Sequence, residues 1–264
     1  MECRLSMSWT DAPAAPYLRP MAQVQAQATA TGQSGRQAST ADLLWRSTIG
    51  KKLVMAVTGV MMLLYLVGHM LGNLKIFFGP EEFNGYAHWL RTLGEPLLHY
   101  EWFLWLVRLA LLAAVVLHGI AAFQLSRRDL AARPKRYAHR GGSARRGGYA
   151  TRTMRWGGVI LALFLVWHLL DLTTHTVNPN GEAGKPYENV VATFGTWYGN
   201  LIYGVAMIAV GLHVRHGLRS AAHSLGAATA GRDRALRFLG DGLALVLTAG
   251  FLSVPLAVQI GAVS

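Results

Sequence analysis

The chain has 264 residues, of which 52% are hydrophobic and 14% charged, well short of the near-quarter charged share of soluble domains. This composition excludes an ordinary water-soluble globule. A formal net charge of +12 suits nucleic acid, an anionic surface or basic loops beside a membrane, and its distribution along the chain decides between them. The single cysteine, Cys3, excludes an internal disulfide, a Cys-ligated zinc site and an iron–sulfur cluster held by this chain alone. A redox centre here has to hang on histidine.

Residues 1–45 form a polar, Ala/Gln/Thr-rich tract without a periodic apolar face, and are predicted to be a disordered tail. The tract lacks the apolar run of a signal peptide. Crossing ~30 Å of hydrocarbon takes about 20 apolar residues in a helix. Residues 46–264 contain five such stretches, at 51–75, 101–126, 153–175, 197–222 and 236–262. The expected fold is therefore all-α, an integral membrane bundle of five transmembrane helices. Lys51 and Lys52 mark the start of the first span, and Arg127 and Arg128 the end of the second. The third begins after Arg152 and Arg155, and Trp197 and Tyr198 open the fourth at headgroup level. The fifth carries Asp241 near its start and Pro255 near its end, so its extent is the least sharply written. Between the first two spans, residues 80–93 place Phe83, Tyr86, Ala87, Leu90 and Leu93 at three- and four-residue spacing, which predicts a short amphipathic helix on the outer surface. Residues 139–148, HRGGSARRGG, read as a flexible basic loop.

Lys and Arg alternate by side. The first 52 residues, segment 127–155 and segment 214–237 hold 21 of the 25, whereas connections 75–100 and 176–196 hold only Lys75, Arg91 and Lys185. By the positive-inside rule the N-terminus and the basic connections face the cytoplasm and the C-terminus lies outside, as in a multi-pass protein of a bacterial cytoplasmic membrane. Topology thus accounts for the charge, and no nucleic-acid partner is expected.

Ionisable side chains inside a bilayer are costly and usually functional. Four of the five spans carry a histidine: His69, His118, His168 and His213. Counting from the basic flanks puts His69 and His168 in the outer half of the membrane and His118 and His213 in the inner half. Two histidines at each of two depths is what two stacked bis-histidine haem sites require. Small residues that would admit a flat macrocycle flank them: Gly68 and Gly72, Ala114 and Gly119, Gly211 and Gly217, with Gly157 and Gly158 about three turns from His168. Arg108, in the outer half of the second span, is expected to face the bundle and pair with a haem propionate. Against this stands the plainer reading that intramembrane histidines and glycines serve helix packing, which would leave a haem-free anchor. His216 is a rival to His213 as the fourth-span ligand. His88 and His175 read as outer-surface residues that could touch a quinone or relay protons, His216 and His223 as solvated near the cytoplasmic interface, and His99 and His139 as loop residues.

The stretches TGVMMLLYLVGHMLGN, ALLAAVVLHGIAAF, GGVILALFLVWHLLDL and GLHVRHGL, with histidine spacings of 49, 50 and 45 residues, cover about residues 45–225. There the chain resembles the single-polypeptide, five-helix, dihaem cytochrome b anchors of succinate:menaquinone oxidoreductases and quinol:fumarate reductases. The resemblance implies that His118 and His213 ligate the inner b haem and His69 and His168 the outer one. It further implies a flavoprotein subunit and an iron–sulfur subunit as partners on the cytoplasmic face and menaquinone as electron acceptor. This chain would be a subunit of the enzyme without a succinate or flavin site of its own. A free-standing transmembrane dihaem cytochrome is the alternative with the same redox chemistry. Some members of the family carry a Glu two residues before the fourth-span ligand as part of a proton path; here that residue is Gly211. Asp171, one turn after His168, reads either as a residue supporting the outer site or as a polar helix end.

Overall fold

The computed structural model describes residues 39, 45–132, 142–229 and 231–264, with the side chains of 142–151 left aside. The chain divides into two units, Met1–Asp42 and Leu43–Ser264. Of the first unit only Ser39 is described, so the tail predicted over 1–45 lies, but for Ser39 and Trp45, outside the described residues. His139 and the first part of the basic loop lie outside them too.

All regular structure among the described residues is helical. Helix α1 (Thr48–Asn73) runs into a 3₁₀ segment, Leu74–Phe78. It is followed by α2 (Pro80–Thr92), α3 (Trp102–Ala131), α4 (Gly142–Leu172), α5 (Pro186–Phe194), α6 (Trp197–Ser224) and α7 (Asp233–Gln259). Five segments are long and apolar enough to cross a membrane: Thr48–Phe78, Trp102–Ala131, Arg152–Leu172, Trp197–Ser224 and Asp233–Gln259. These are the five expected spans.

The local signals are legible. Ser47, in extended conformation, caps α1 by accepting a hydrogen bond from the Gly50 amide at 2.8 Å. Gly79 has φ of 95°, a conformation that glycine adopts freely, and turns the chain into Pro80 at the start of α2, where Glu81 and Glu82 complement the helix dipole. Thr196 caps α6 through the Gly199 amide at 3.1 Å.

Helix ends depart from span ends in several places. α3 continues past Arg127 and Arg128 to Ala131, and α4 already begins at Gly142, so residues 142–148, expected as flexible loop, are helical. The physical reason is that leaving hydrocarbon removes the apolar requirement without breaking backbone hydrogen bonds, and Ala and Arg are strong helix formers. α7 starts at Asp233 and stops at Gln259, running through Pro255. The nine-residue α5 is absent from the sequence reading; it buries Tyr187, Val190 and Phe194, one apolar face too short to register as periodic.

Helices α1 and α6 pack against each other and organise the rest: α3 lies on α1, α4 on α6, and α7 against both α6 and α1. α3 buries only Ala114 and Ala121, while Trp105, Leu109, Leu112, Val116 and Phe123 stay exposed, as suits a helix whose outer face meets lipid. The larger core cluster lies toward the end of the bundle opposite the basic one, where Ile76, Phe83, Tyr187, Val190, Phe194, Tyr203 and Val254 join. Helix α2 is part of it, since Phe83 packs on Tyr187 at 6.3 Å and Asn84 accepts from the Tyr187 amide at 2.9 Å. It therefore caps the bundle instead of merely lying on the surface.

At the basic end α6 and α7 are tied by ion pairs. Arg219 donates twice to Asp233, at 2.8 and 3.0 Å, with Arg237 at 3.2 Å and His223 at 3.6 Å from the same carboxylate. Arg215 reaches Asp241 at 2.5 Å. A partly exposed network of this kind contributes little per pair, so Asp233→Ala should lower the melting temperature only slightly in detergent at low salt. The loss should shrink in high salt, a comparison that melting curves at two ionic strengths would make.

Candidate functional site

The four intramembrane histidines meet in two couples. His69 of α1 and His168 of α4 have ring centres 5.9 Å apart with planes at 83°. His118 of α3 and His213 of α6 have ring centres 6.3 Å apart with planes at 57°. An imidazole nitrogen binds a metal at about 2 Å and lies about 1 Å from its ring centre, so imidazoles on opposite sides of one metal have centres about 6 Å apart. Both couples have that spacing. Their helices leave room as well: neither α1 with α4 nor α3 with α6 is a closely packed pair among the described residues. Gly68 and Gly119, each adjacent to a histidine of a different couple, are exposed, with nothing within 4 Å of where a Cβ would stand, so they do not line the space between the paired rings.

The separation of the two couples follows from three helices independently. On α1, Gly59 lies against His118, its missing Cβ 3.4 Å from that ring, while His69 is ten residues further along. On α4, Gly157 and Gly158 lie against His213, at 4.0 and 3.9 Å, while His168 is ten residues beyond Gly158. On α6, Tyr203 contacts His168 at 3.2 Å and His213 follows ten residues later. Ten residues of α-helix rise about 15 Å. The couples therefore occupy two levels about 15 Å apart, His118 and His213 nearer the basic end.

Each histidine has its own support. The Nδ1–H of His118 donates to the Met55 carbonyl at 3.0 Å, with Thr58 Oγ1 at 3.3 Å. Nδ1 of His168 lies 3.2 Å from the Tyr203 hydroxyl, which donates to Asp171 at 2.8 Å. In both cases occupying Nδ1 leaves the lone pair of Nε2 free. His69 is stacked on Tyr65, with ring centres 5.4 Å apart, and lies 6.0 Å from Phe251. His213 Nδ1 is buried without a hydrogen-bond partner. An orphaned buried nitrogen, glycine cradles against two of the rings, and two opposed imidazoles per level fit a bis-histidine haem at each level.

Other residues singled out in the sequence fall as follows. His213 rather than His216 faces His118; His216 lies a turn on, within electrostatic reach of Arg215 and Asp241. Arg108, expected to face the bundle, is exposed instead: no carboxylate inside the bundle partners it among the described contacts, and its guanidinium lies over the exposed Trp105 ring at 5.0 Å, with Tyr65 beside His69 within its electrostatic reach. His88, His99 and His223 are exposed; His175 is half-buried, 3.5 Å from the Asn189 amide nitrogen. Gly157 and Gly158 serve His213, not the His168 they precede in sequence. Gly211 faces Thr248 and Gly72 faces Tyr86, so these two are close-packing positions. The sequence reading misses Tyr203, Gly59 and the Met55 carbonyl. A tyrosine in mid-span needs a partner for its hydroxyl and could have been noticed; a backbone carbonyl leaves no trace in residue identity.

Residues 131–251 match the family model described as the succinate dehydrogenase/fumarate reductase transmembrane subunit. The match takes in α4, α5, α6 and most of α7, hence His168 and His213, and leaves His69 and His118 outside it. No curated protein and no solved structure matches the chain. Over residues 131–251 the chain is thus similar to the transmembrane subunits of succinate dehydrogenase and fumarate reductase.

Proposed function

We propose that this chain is the cytochrome b anchor of a succinate dehydrogenase, holding two b haems and passing electrons from the iron–sulfur subunit to menaquinone. The observation that carries the reading is the pair of histidine couples at metal-sharing separations, 5.9 and 6.3 Å, on two levels of one bundle. When bound, haem supplies one-electron redox chemistry.

The chain's residues account for the rest. His118 with His213, and His69 with His168, would hold one haem each through two imidazoles, a ligand set suited to electron transfer. The Met55 carbonyl fixes the His118 tautomer so that Nε2 is the ligating atom. Arg108, whose guanidinium lies over the Trp105 ring, would turn from it to pair with a propionate of the outer haem. The apolar faces of all five spans keep water from both levels. The basic end, with Arg215, Arg219 and Arg237, would face the cytoplasm and the iron–sulfur and flavoprotein subunits, which hold the succinate chemistry. The N-terminus would then be cytoplasmic and the C-terminus outside, in a bacterial cytoplasmic membrane.

Purification of the chain from its native membrane tests the reading. A reduced-minus-oxidised spectrum with b-type bands, two haems per chain, and co-purifying flavoprotein and iron–sulfur subunits are expected. Two haems without those partners would instead make it a free-standing dihaem cytochrome, and no haem would make it a haem-free anchor.

A further inference from the structure

Behind His168 lies a buried polar chain that crosses from α4 to α5 and α6. Asp171, 2% exposed, accepts from Tyr203 Oη at 2.8 Å and from Thr193 Oγ1 at 3.0 and 3.1 Å. Thr193 in turn accepts from Asn178 Nδ2 at 2.9 Å, which also donates to the Asn189 carbonyl at 3.0 Å. Tyr203, Thr193, Asn178 and Asn189 are all buried.

The direction of these bonds has a consequence for His168. Asn178 donates to Thr193, so the single hydroxyl proton of Thr193 is free to point at Asp171. Tyr203 gives its one proton to the same carboxylate, and its oxygen is left as an acceptor 3.2 Å from His168 Nδ1. The histidine proton is thereby held on Nδ1, and Nε2 is left with its lone pair. His118 obtains the same fixation from the neutral Met55 carbonyl, and His213 Nδ1 has no partner at all. Of the four histidines, only His168 is backed by a chain ending on a buried carboxylate.

Resting on the haem reading above, we infer that Tyr203 and Asp171 are positioning residues for His168, setting the tautomer and electron-donating strength of one axial ligand of the outer haem. A carboxylate acting through the tyrosine makes the imidazole a stronger donor, which favours ferric over ferrous iron at that level alone. The same bonds also join α4 to α5 and α6, so a purely structural role has to be separated by readouts that packing does not move.

The experiment is a redox titration, with low-temperature EPR of the ferric state, on the intact complex carrying Tyr203→Phe, Asp171→Asn or Asp171→Glu. Tyr203→Phe keeps the ring among Phe164, Phe194 and His168 and removes only the hydroxyl. The expected result is two haems per chain, with the midpoint potential of one haem raised and its low-spin ferric signal shifted in Tyr203→Phe and Asp171→Asn, and restoration toward the native value in Asp171→Glu. Two bound haems whose potentials and signals are both unchanged would overturn the inference while leaving the haem reading intact. A wild-type complex without haem would overturn the reading on which it rests.

Discussion

Alanine at His118 or His213 should leave one haem per anchor chain, and alanine at His69 or His168 should leave the other. Each substitution should halve the haem-to-protein ratio, and the two members of a couple should share one spectral phenotype, because either loss removes one of the two imidazoles proposed to hold the same haem. The geometry makes the pairing specific: His69 lies 5.9 Å from His168 and His118 lies 6.3 Å from His213, whereas about 15 Å of helix separates the levels. The haem that remains should keep its bands, since its own ligands and cradles lie on the other level. His216→Ala serves as the control and should retain both haems. Extractable haem measured per polypeptide, with difference spectra of the five variants, checks all of this. Two haems in all four ligand variants would refute the assignment.

The spans, the histidines and their division into two depths are legible in the sequence because each rests on a rule that acts residue by residue: apolar length, charge side and the cost of an ionisable group in hydrocarbon. α5 escapes that reading because its nine residues are governed by what they pack against, Phe83 and Tyr203, and not by a period of their own. The start of α4 escapes it because Gly142 to Thr151 is set by backbone continuity after the apolar requirement has ended. At the site, which histidines pair follows from depth, but what holds each ring does not. The Met55 carbonyl at His118 and the Tyr203 hydroxyl at His168 come from neighbouring helices, and helix rotation about its axis, which decides what a residue touches, is set by packing alone. Glycine shows the same limit. Gly157 and Gly158 sit before His168 in sequence, yet a neighbouring helix brings His213 against them.

The seam between α6 and α7 gives the second large effect. Gly211 is buried against α7: an added Cβ would collide with Thr248 Oγ1 and stand 3.6 Å from the Ala244 carbonyl. One turn further along the same seam, the Cβ missing from Gly240 would stand 3.1 Å from the Arg215 carbonyl. Small residues therefore set how near the two helices come, as is common where packing rather than hydrophobicity drives association in lipid. Gly211→Leu should force the helices apart and cost about 1–3 kcal/mol, the usual range for overpacking a filled interior. The strain enters two residues from His213, so on heating the haem of the His118–His213 level should be released first, with the His69–His168 haem following at a higher temperature. Thr248→Ala removes the colliding hydroxyl together with its 3.4 Å bond to the Met207 carbonyl, and added to Gly211→Leu it should recover part of the loss. Gly119→Ala, with nothing within 4 Å of the new methyl group, should leave the melting curve unchanged. Absorbance at the haem bands during a thermal ramp distinguishes the outcomes; simultaneous release of both haems in Gly211→Leu would mean that the seam stabilises the whole bundle and not one level of it.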